Sequence, residues 1–98
     1  MTIEQNKNGS TLTLALEGRL DTMTAPQLEG ELKTALEGID ELTFDLGKLE
    51  YISSAGLRVL LSAQKIMNKQ GAMKVIHANA MILEIFEVTG FSDILTIE

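Results

Sequence analysis

The feature of this sequence that most restricts its fold is an alternation of strand-like and helix-like segments after residue 10. Thr11–Glu17 (TLTLALE) carries leucine at every second position, which is the period of a half-buried strand. Two further strand-like segments, Glu41–Leu46 and Ala72–Ile76, each follow a helix-like segment. Strands that alternate with helices pair in parallel through right-handed crossovers. The pattern therefore predicts an α/β fold built on a mainly parallel sheet.

The helix-like segments begin at residues that favour helix starts and end at glycine. Thr24 is a good N-cap, and Pro26 follows in the first turn, where its missing N–H has no helical partner to lose. Asn79 is the corresponding cap of the last helix, and a glycine after the last turn commonly ends a helix. The predicted helices run from Thr24 to about Glu37, from Ser53 or Ser54 to about Gln70, and from Ala80 to about Thr89, and they are followed by Gly38, Gly71 and Gly90.

Segments at the two ends of the chain complete the predicted sheet. Thr2–Gln5 is a short strand, and Asn8-Gly9 is a dipeptide that favours a tight hairpin to the next strand. Ile94–Ile97 is predicted to be a last short strand. The length of 98 residues fits one domain, residues 1–98. We therefore expect one α/β domain with a mixed, mainly parallel sheet, an N-terminal β-hairpin and helices that cover the sheet.

Composition limits the partners that the chain can have. Its net charge is −6, whereas nucleic acids and anionic membranes are bound by clustered Lys and Arg. We therefore expect no nucleic acid partner, and the charge is compatible with a basic protein. There is no cysteine and His77 is the only histidine, so we expect neither a metal site nor a cofactor. No apolar run approaches ~20 residues and the polar N-terminus is no signal peptide, which predicts a cytoplasmic protein without direct membrane insertion.

The motifs of common enzyme classes do not occur in the sequence. There is no glycine-rich phosphate loop and no paired-glycine dinucleotide fingerprint. A serine hydrolase of the strand–turn–helix type needs Gly-x-Ser-x-Gly, and Ile52 stands where the first glycine before Ser54 would be. His77, at the end of a predicted strand, is more typical of a structural histidine. We therefore predict no catalytic residues and no enzyme activity.

The segment Leu49–Leu61 (LEYISSAGLRVLL) is the strongest candidate for a functional site. An apolar pair is followed by two serines, two small residues and a strongly apolar helix. Ser53 or Ser54 could simply be an N-cap, which accepts a hydrogen bond from an unpaired N–H of the first turn. Gly56 would cost about 1 kcal/mol relative to alanine inside a helix, so its presence needs a reason such as close packing. The residues alone leave a structural and a functional interpretation open.

Three segments together make the chain resemble the STAS domain family, and most closely its stand-alone bacterial anti-sigma factor antagonists. Leu14–Thr24 is similar to the family's strand, its Gly-x-Leu-Asp turn and the following helix start. Phe44–Leu61 is similar to the signature strand, loop and phosphosite helix. Val75–Phe91 resembles the last crossover, including the helix that ends in Thr-Gly-Phe. The resemblance covers essentially the whole chain and implies the STAS fold.

The resemblance implies a phosphoacceptor at Ser54. The antagonist signature reads Asp-Ser-Ser/Thr-Gly-Leu, and the serine after the aspartate is phosphorylated. Ser53 stands here in place of that aspartate, which makes Ser53 a second candidate acceptor, and Ala55 stands after the acceptor position. The glycine and leucine of the signature are Gly56 and Leu57. Phosphorylation would add a charge of about −1.5 to −2 at a helix start that tolerates negative charge, so it would change binding without unfolding the domain.

The resemblance also implies partners. An unphosphorylated antagonist binds an anti-sigma factor that is also a serine kinase and so releases a sigma factor, and a PP2C-type serine phosphatase reverses the modification. An alternative is a STAS subunit of another complex, such as a phospholipid transport or signalling assembly, in which Ser54 is only a cap. The implied partner-binding residues are Asp21, Thr22, Met23, Thr24, Ser53, Ala55, Gly56, Leu57, Arg58, Ser62 and Lys65. Asp21 and Thr22 could instead form only the turn before the first helix. Arg58, Ser62 and Lys65 could instead form only a solvated helix face.

Overall fold

The computed structural model describes residues 1–98 and contains one four-stranded sheet and three α-helices. In chain order the elements are β1 (Thr2–Asn8), β2 (Thr11–Leu20), α1 (Ala25–Ala35), β3 (Glu41–Ile52), α2 (Ser54–Met67), β4 (Ala72–Ile76) and α3 (Ala80–Val88), followed by a 3₁₀ turn at Phe91–Asp93. None of the three helices has the length and the apolar stretch that a membrane-spanning helix requires.

The sheet has the order β1-β2-β3-β4, so strands that are neighbours in the sequence are also neighbours in space. The β1–β2 pair is antiparallel, and the β2–β3 and β3–β4 pairs are parallel. The predicted mixed, mainly parallel sheet with an N-terminal hairpin is therefore confirmed. Because β2, β3 and β4 run parallel to one another, their carboxyl ends lie at the same edge of the sheet.

One face of the sheet carries the core. Leu14, Phe44 and Val75 lie side by side in the strand register and are fully buried, and they pack with apolar residues of all three helices. The opposite face is not covered by a helix. Its charged residues Glu41 and Lys74 are exposed, in keeping with an alternating strand pattern in which only one face is buried. The helices therefore occupy one side of the sheet and leave the other side open.

Three strands are longer than the sequence pattern predicted. β1, predicted as Thr2–Gln5, continues to Asn8. β2 was expected to end at Glu17 but continues to Leu20, and β3 was expected to end before Gly47 but continues to Ile52. The extensions of β2 and β3 pair with each other, and the register shifts between Ala15 and Glu17 and again after Gly18. Glycines that suggested loops in the sequence therefore lie in irregular parts of the strands, and Gly18 adopts a φ of 103° there.

Both ends of the chain differ in detail from the prediction. The hairpin turns at Gly9-Ser10 rather than at Asn8-Gly9, because Asn8 still pairs with Thr11. The predicted last strand at Ile94–Ile97 is wrong as an independent strand. It is reduced to one parallel bridge between Val75 and Ile97, because a 3₁₀ turn takes up the residues just before it.

The helix ends show which glycines act as caps. All three helices lie where the pattern predicted them and end one to three residues earlier. Gly38 and Gly90 adopt positive φ, as expected of glycine after a helix. Gly71 does not, so it is not a left-handed cap. A Cβ at Gly71 would overlap the Asp40 backbone, so glycine is required there by close packing between two connections.

Candidate functional site

The start of α2 lies at the edge of the sheet where β2 and β3 end. Leu20 and Ile52 are paired at the ends of these strands, and the Ser53 N–H donates to the Leu20 carbonyl at 2.9 Å. The chain then enters α2 without a loop, because Ser54 is already the first helical residue. This arrangement fixes the two serines on the sheet rather than on a flexible connection.

The two serines have different structural roles. Ser53 has extended backbone angles, and its hydroxyl accepts a hydrogen bond from the Gly56 N–H at 3.4 Å, so Ser53 is the N-cap. Ser54 is exposed, and its hydroxyl forms no hydrogen bond within the chain. An incoming phosphate donor can therefore reach the Ser54 hydroxyl without breaking an interaction of the fold.

Gly56 allows α2 to pack closely on the strand ends. A Cβ at this position would lie 2.7 Å from Leu20 Cγ and 2.9 Å from Ile52 Cγ1, both distances well inside van der Waals contact. Gly56 and Leu57 are buried and Ala55 is half-buried. The side chain of Leu57 is thus directed into the core, and these residues contribute to the site by positioning the exposed serine.

Asp21 organises the turn between β2 and α1. Its Oδ1 accepts hydrogen bonds from the N–H groups of Met23 at 3.0 Å and Thr24 at 3.1 Å, and its Oδ2 lies 3.7 Å from the Arg19 guanidinium. Desolvation raises the pKa of Asp21, but these hydrogen bonds together with Arg19 outweigh it and leave the pKa below its usual value. The carboxylate is therefore ionised and engaged in the turn, as the structural interpretation of Asp21 requires.

The hydroxyl of Thr24 also holds this turn rather than capping α1. It donates to the Arg19 carbonyl at 2.8 Å and accepts from the Asp21 N–H at 2.9 Å. Thr24 therefore occupies the predicted N-cap position, but its side chain makes no capping hydrogen bond. Thr22 and Met23 are exposed, and Met23 retains 87% of its accessible surface. The turn thus presents an apolar side chain to solvent beside the start of α2.

A surface groove of about 330 Å³ joins the turn to α2. From the predicted set, the groove brings together Thr22, Ala55, Arg58 and Ser62, whereas Lys65 lies further along α2 and does not line it. The other wall was missed by sequence reasoning and consists of Ala25, Pro26 and Glu29 on α1, and Val59 adds to the α2 side. No local signal in α1 could have identified that wall, because only the packing of α1 against α2 creates the groove.

A second polar constellation lies on the open face of the sheet. The Oδ1 of Asp45 accepts from the Gly47 N–H at 2.9 Å and lies 3.0 Å from His77 Nδ1. The Gly47 hydrogen bond is the main cause that lowers the pKa of Asp45, and His77 adds to it against partial desolvation. His77 has a positive φ of 63°, which is uncommon for a residue with a side chain. The structure contains no group of three His, Asp or Glu residues that could hold a metal ion.

The structure is thus that of an α/β domain with a four-stranded sheet, helices on one face of that sheet and an exposed serine at the start of the second helix. The family model described as "Mlab, STAS domain" matches residues 3–96. The chain therefore belongs to the STAS domain family, as the sequence motifs indicated.

Two relatives of this chain are named as anti-sigma factor antagonists or candidates for that function. BtrV of Bordetella bronchiseptica, named as a candidate anti-sigma factor antagonist, is 36% identical over 99% of this chain and 85% of its own length. The anti-sigma-B factor antagonist of Bacillus subtilis is 30% identical over 97% of this chain and 86% of its own length.

Solved structures show the same fold. The Bacillus anti-sigma factor antagonist SpoIIAA matches 99% of this chain in both its unphosphorylated and its phosphorylated form, with TM-scores of 0.78 and 0.77. The matches cover 87% and 91% of the SpoIIAA chains at 14% and 15% sequence identity. This similarity shows the fold, and it includes the N-terminal hairpin and the helices that cover one face.

Proposed function

We propose that this chain is an anti-sigma factor antagonist whose binding is switched by phosphorylation of Ser54. The unphosphorylated chain binds an anti-sigma factor that is also a serine kinase, and a sigma factor is thereby released. Phosphorylation of Ser54 ends the binding, and a PP2C-type serine phosphatase restores it. The chain acts in the cytoplasm and as a binding protein rather than as an enzyme.

The observation that carries this proposal is the difference between the two serines. Ser54 is exposed with a free hydroxyl, whereas the Ser53 hydroxyl caps α2. Ser53 stands where the antagonist signature has aspartate, and both residue types are good N-caps, so the substitution preserves the helix start. We therefore assign the phosphoacceptor to Ser54 rather than to Ser53.

The surroundings of Ser54 suit a reversible change of charge. A phosphate at the first helical residue lies at the positive end of the helix dipole, which favours it by about 0.3–1 kcal/mol. The exposed Met23 and the α1–α2 groove lie beside this position and form a surface that a partner can cover. A docked partner would then meet a bulky new charge, and each 1.4 kcal/mol lost corresponds to about tenfold in affinity.

The names of the relatives support the antagonist function over a role as a subunit of an unrelated complex. Two proteins that match nearly the whole chain are named as antagonists or candidate antagonists. One protein of the same fold is described in both a phosphorylated and an unphosphorylated form. These relationships make a serine switch the function to test first.

The test is a phosphate map of the protein isolated from its native cells. Intact-mass and peptide mass spectrometry of the wild type, Ser54→Ala and Ser53→Ala variants should show one phosphate that only Ser54→Ala removes. Phosphate on Ser53 would keep the switch and refute the assignment of the acceptor. Absence of phosphate under every growth condition and with every candidate kinase would refute the switch and favour a constitutive STAS subunit.

Affinity purification with the Ser54→Ala variant as bait then identifies the partner, because this variant cannot be inactivated by phosphorylation. The expected partner is a serine kinase that also binds a sigma factor. The wild-type protein, once phosphorylated by that kinase, should no longer retain it.

A further inference from the structure

The exposed side of α2 carries a one-sided distribution of charge. Residues 51–83 contain four of the eight Lys and Arg residues of the chain and none of its 14 Asp and Glu residues. This segment includes the whole of α2. A protein with a net charge of −6 therefore has one helix whose only ionised side chains are cationic.

Two of these cations, Arg58 and Lys65, lie in a row with two serines that begins at the proposed phosphoacceptor. Ser54, Arg58, Ser62 and Lys65 follow one another at intervals of four, four and three residues, which places them within an arc of about 80° on the helix surface. We call these four residues the α2 stripe. All four are exposed, and the stripe is about 16 Å long at the rise of an α-helix.

The cations of the α2 stripe are not used by the fold. The three ion pairs of the structure involve Arg19, Lys74 and His77, so neither Arg58 nor Lys65 is paired within the chain. Glu29 on α1 lines the opposite wall of the groove from Arg58, but it forms no ion pair with Arg58. The stripe therefore offers two unpaired cations to a molecule that docks along α2.

We propose that the α2 stripe docks against an acidic surface of the protein partner, and that phosphorylation of Ser54 switches binding by cancelling the charge of the stripe. This inference rests on the proposed function and extends it to the chemistry of the partner. The net charge of the chain is compatible with a basic partner, but charges more than about 8 Å apart are largely screened at physiological salt, so the local charge of the stripe governs this contact.

The charge balance along the stripe explains why a phosphate is an effective switch. Arg58 and Lys65 together contribute two positive charges, and a phosphoserine at position 54 contributes about −1.5 to −2. The modified stripe is therefore close to neutral and carries its negative charge at the end nearest the β2–α1 turn. An acidic partner surface would lose its attraction along α2 and meet repulsion at Ser54.

The test measures affinity for the kinase obtained by purification on Ser54→Ala, by calorimetric titration at several salt concentrations. Lys65→Glu should weaken binding about tenfold at low salt, and the loss should shrink as salt rises, because rim charges act through screened electrostatics. Lys33→Glu is the matched control. It makes the same charge change at an exposed lysine of α1 that lies outside the stripe, and it should change affinity by less than about twofold.

Two further measurements separate charge from shape. Glu29→Lys adds a cation beside the stripe and should tighten binding to an acidic surface. The affinity ratio between unphosphorylated and phosphorylated protein should fall as salt rises if charge cancellation is the cause, and it should stay constant if the phosphate acts by bulk alone.

Several results would overturn the proposal. Equal effects of Lys65→Glu and Lys33→Glu, weaker binding by Glu29→Lys, or a phosphorylation effect independent of salt would each do so while the antagonist function stands. Binding of duplex DNA or of phosphatidylglycerol vesicles that Lys65→Glu removes would assign the stripe to a different anion. Failure of the kinase to bind even the wild-type protein would instead refute the proposed function, and this inference with it.

Discussion

Replacement of Gly56 by alanine tests the close packing that holds Ser54 in place. Gly56 is not among the residues with positive φ, so alanine can adopt its backbone conformation. Any loss of stability must therefore come from the added methyl group. That group would lie 2.7 Å from Leu20 Cγ, 2.9 Å from Ile52 Cγ1 and 3.0 Å from the Leu20 carbonyl oxygen.

The expected change in the free energy of unfolding of Gly56→Ala follows from two opposing effects. Leu20 and Ile52 are 0% and 1% exposed, so neither can move aside without disturbing the core, and such overpacking costs about 1–3 kcal/mol. Alanine gains up to about 1 kcal/mol over glycine in a helix. With the full gain subtracted, the net loss in the free energy of unfolding is about 0–2 kcal/mol. Three contacts of 3.0 Å or less place Gly56→Ala in the upper half of that range, at about 1–2 kcal/mol, which for a domain of this size lowers Tm by roughly 5–15 °C.

The assay is urea denaturation followed by far-UV circular dichroism, with Gly30→Ala as the matched control. Gly30 lies inside α1, is exposed, and has no atom within 4 Å of its added Cβ. The same substitution there should stabilise the protein by up to about 1 kcal/mol, because only the helix propensity changes. The two substitutions are therefore expected to have opposite signs.

A Gly56→Ala variant as stable as the wild type, beside a stabilised Gly30→Ala variant, would refute the reasoning. It would mean that α2 does not approach the ends of β2 and β3 as closely as the structure shows. The structural explanation for a glycine at this position of the signature would then be lost.

Three smaller predictions test the cap residues and the acid response. Ser53→Ala should lower the free energy of unfolding by about 0.5–1 kcal/mol because the N-cap is lost, whereas Ser54→Ala should lower it by less than about 0.5 kcal/mol. Equal losses of the two variants in urea titrations would contradict the assignment of the cap to Ser53. Asn79→Ala should lower the free energy of unfolding by about 1–2 kcal/mol, because the Asn79 side chain accepts from the Ile82 N–H of α3 at 2.8 Å and donates to the Leu49 carbonyl at 3.2 Å. Asn79→Asp keeps only the capping hydrogen bond, so its stability should lie between that of the wild type and that of Asn79→Ala. A loss in Asn79→Asp as large as in Asn79→Ala would contradict this account. The folded pKa of Asp45 is below its ordinary value of 3.8, so its contribution to stability is present above about pH 4 and is lost as pH falls below that value. Asp45→Asn should therefore lose less stability than the wild type between about pH 6 and about pH 3 in urea titrations, and an unchanged difference would show that this carboxylate does not contribute.

Much of the fold was predictable because its local signals agree with one another. Alternating leucines in β2 identify the buried face of a strand, and Asn79 identifies the start of α3 at the correct residue. The order of strands and helices then leaves few topologies, since parallel crossovers have one hand. The prediction failed where a local signal has more than one structural outcome, as at Gly47, which lies within a strand, and at Ile94–Ile97, where only one bridge forms.

The site was predictable in part for a similar reason. The motif that contains Ser54 is contiguous in the sequence, and a serine pair before an apolar helix is a recognisable helix start. Sequence reasoning could not tell which serine is the cap, because either hydroxyl could reach an N–H of the first turn. It also could not place Glu29 beside Arg58, since these residues are brought to one groove only by packing between two helices.

The sequence by itself determined the element order, the resemblance to the STAS family and the spacing of the α2 stripe, because these depend on residue types and on the period of a helix. Only the tertiary structure decided that Ser53 caps α2 and leaves Ser54 free, that Gly56 is needed for contact with Leu20 and Ile52, and that Asp21 is engaged in its own turn. These facts depend on distances between residues far apart in the chain or on a choice between equivalent donors and acceptors, and a one-dimensional pattern contains neither.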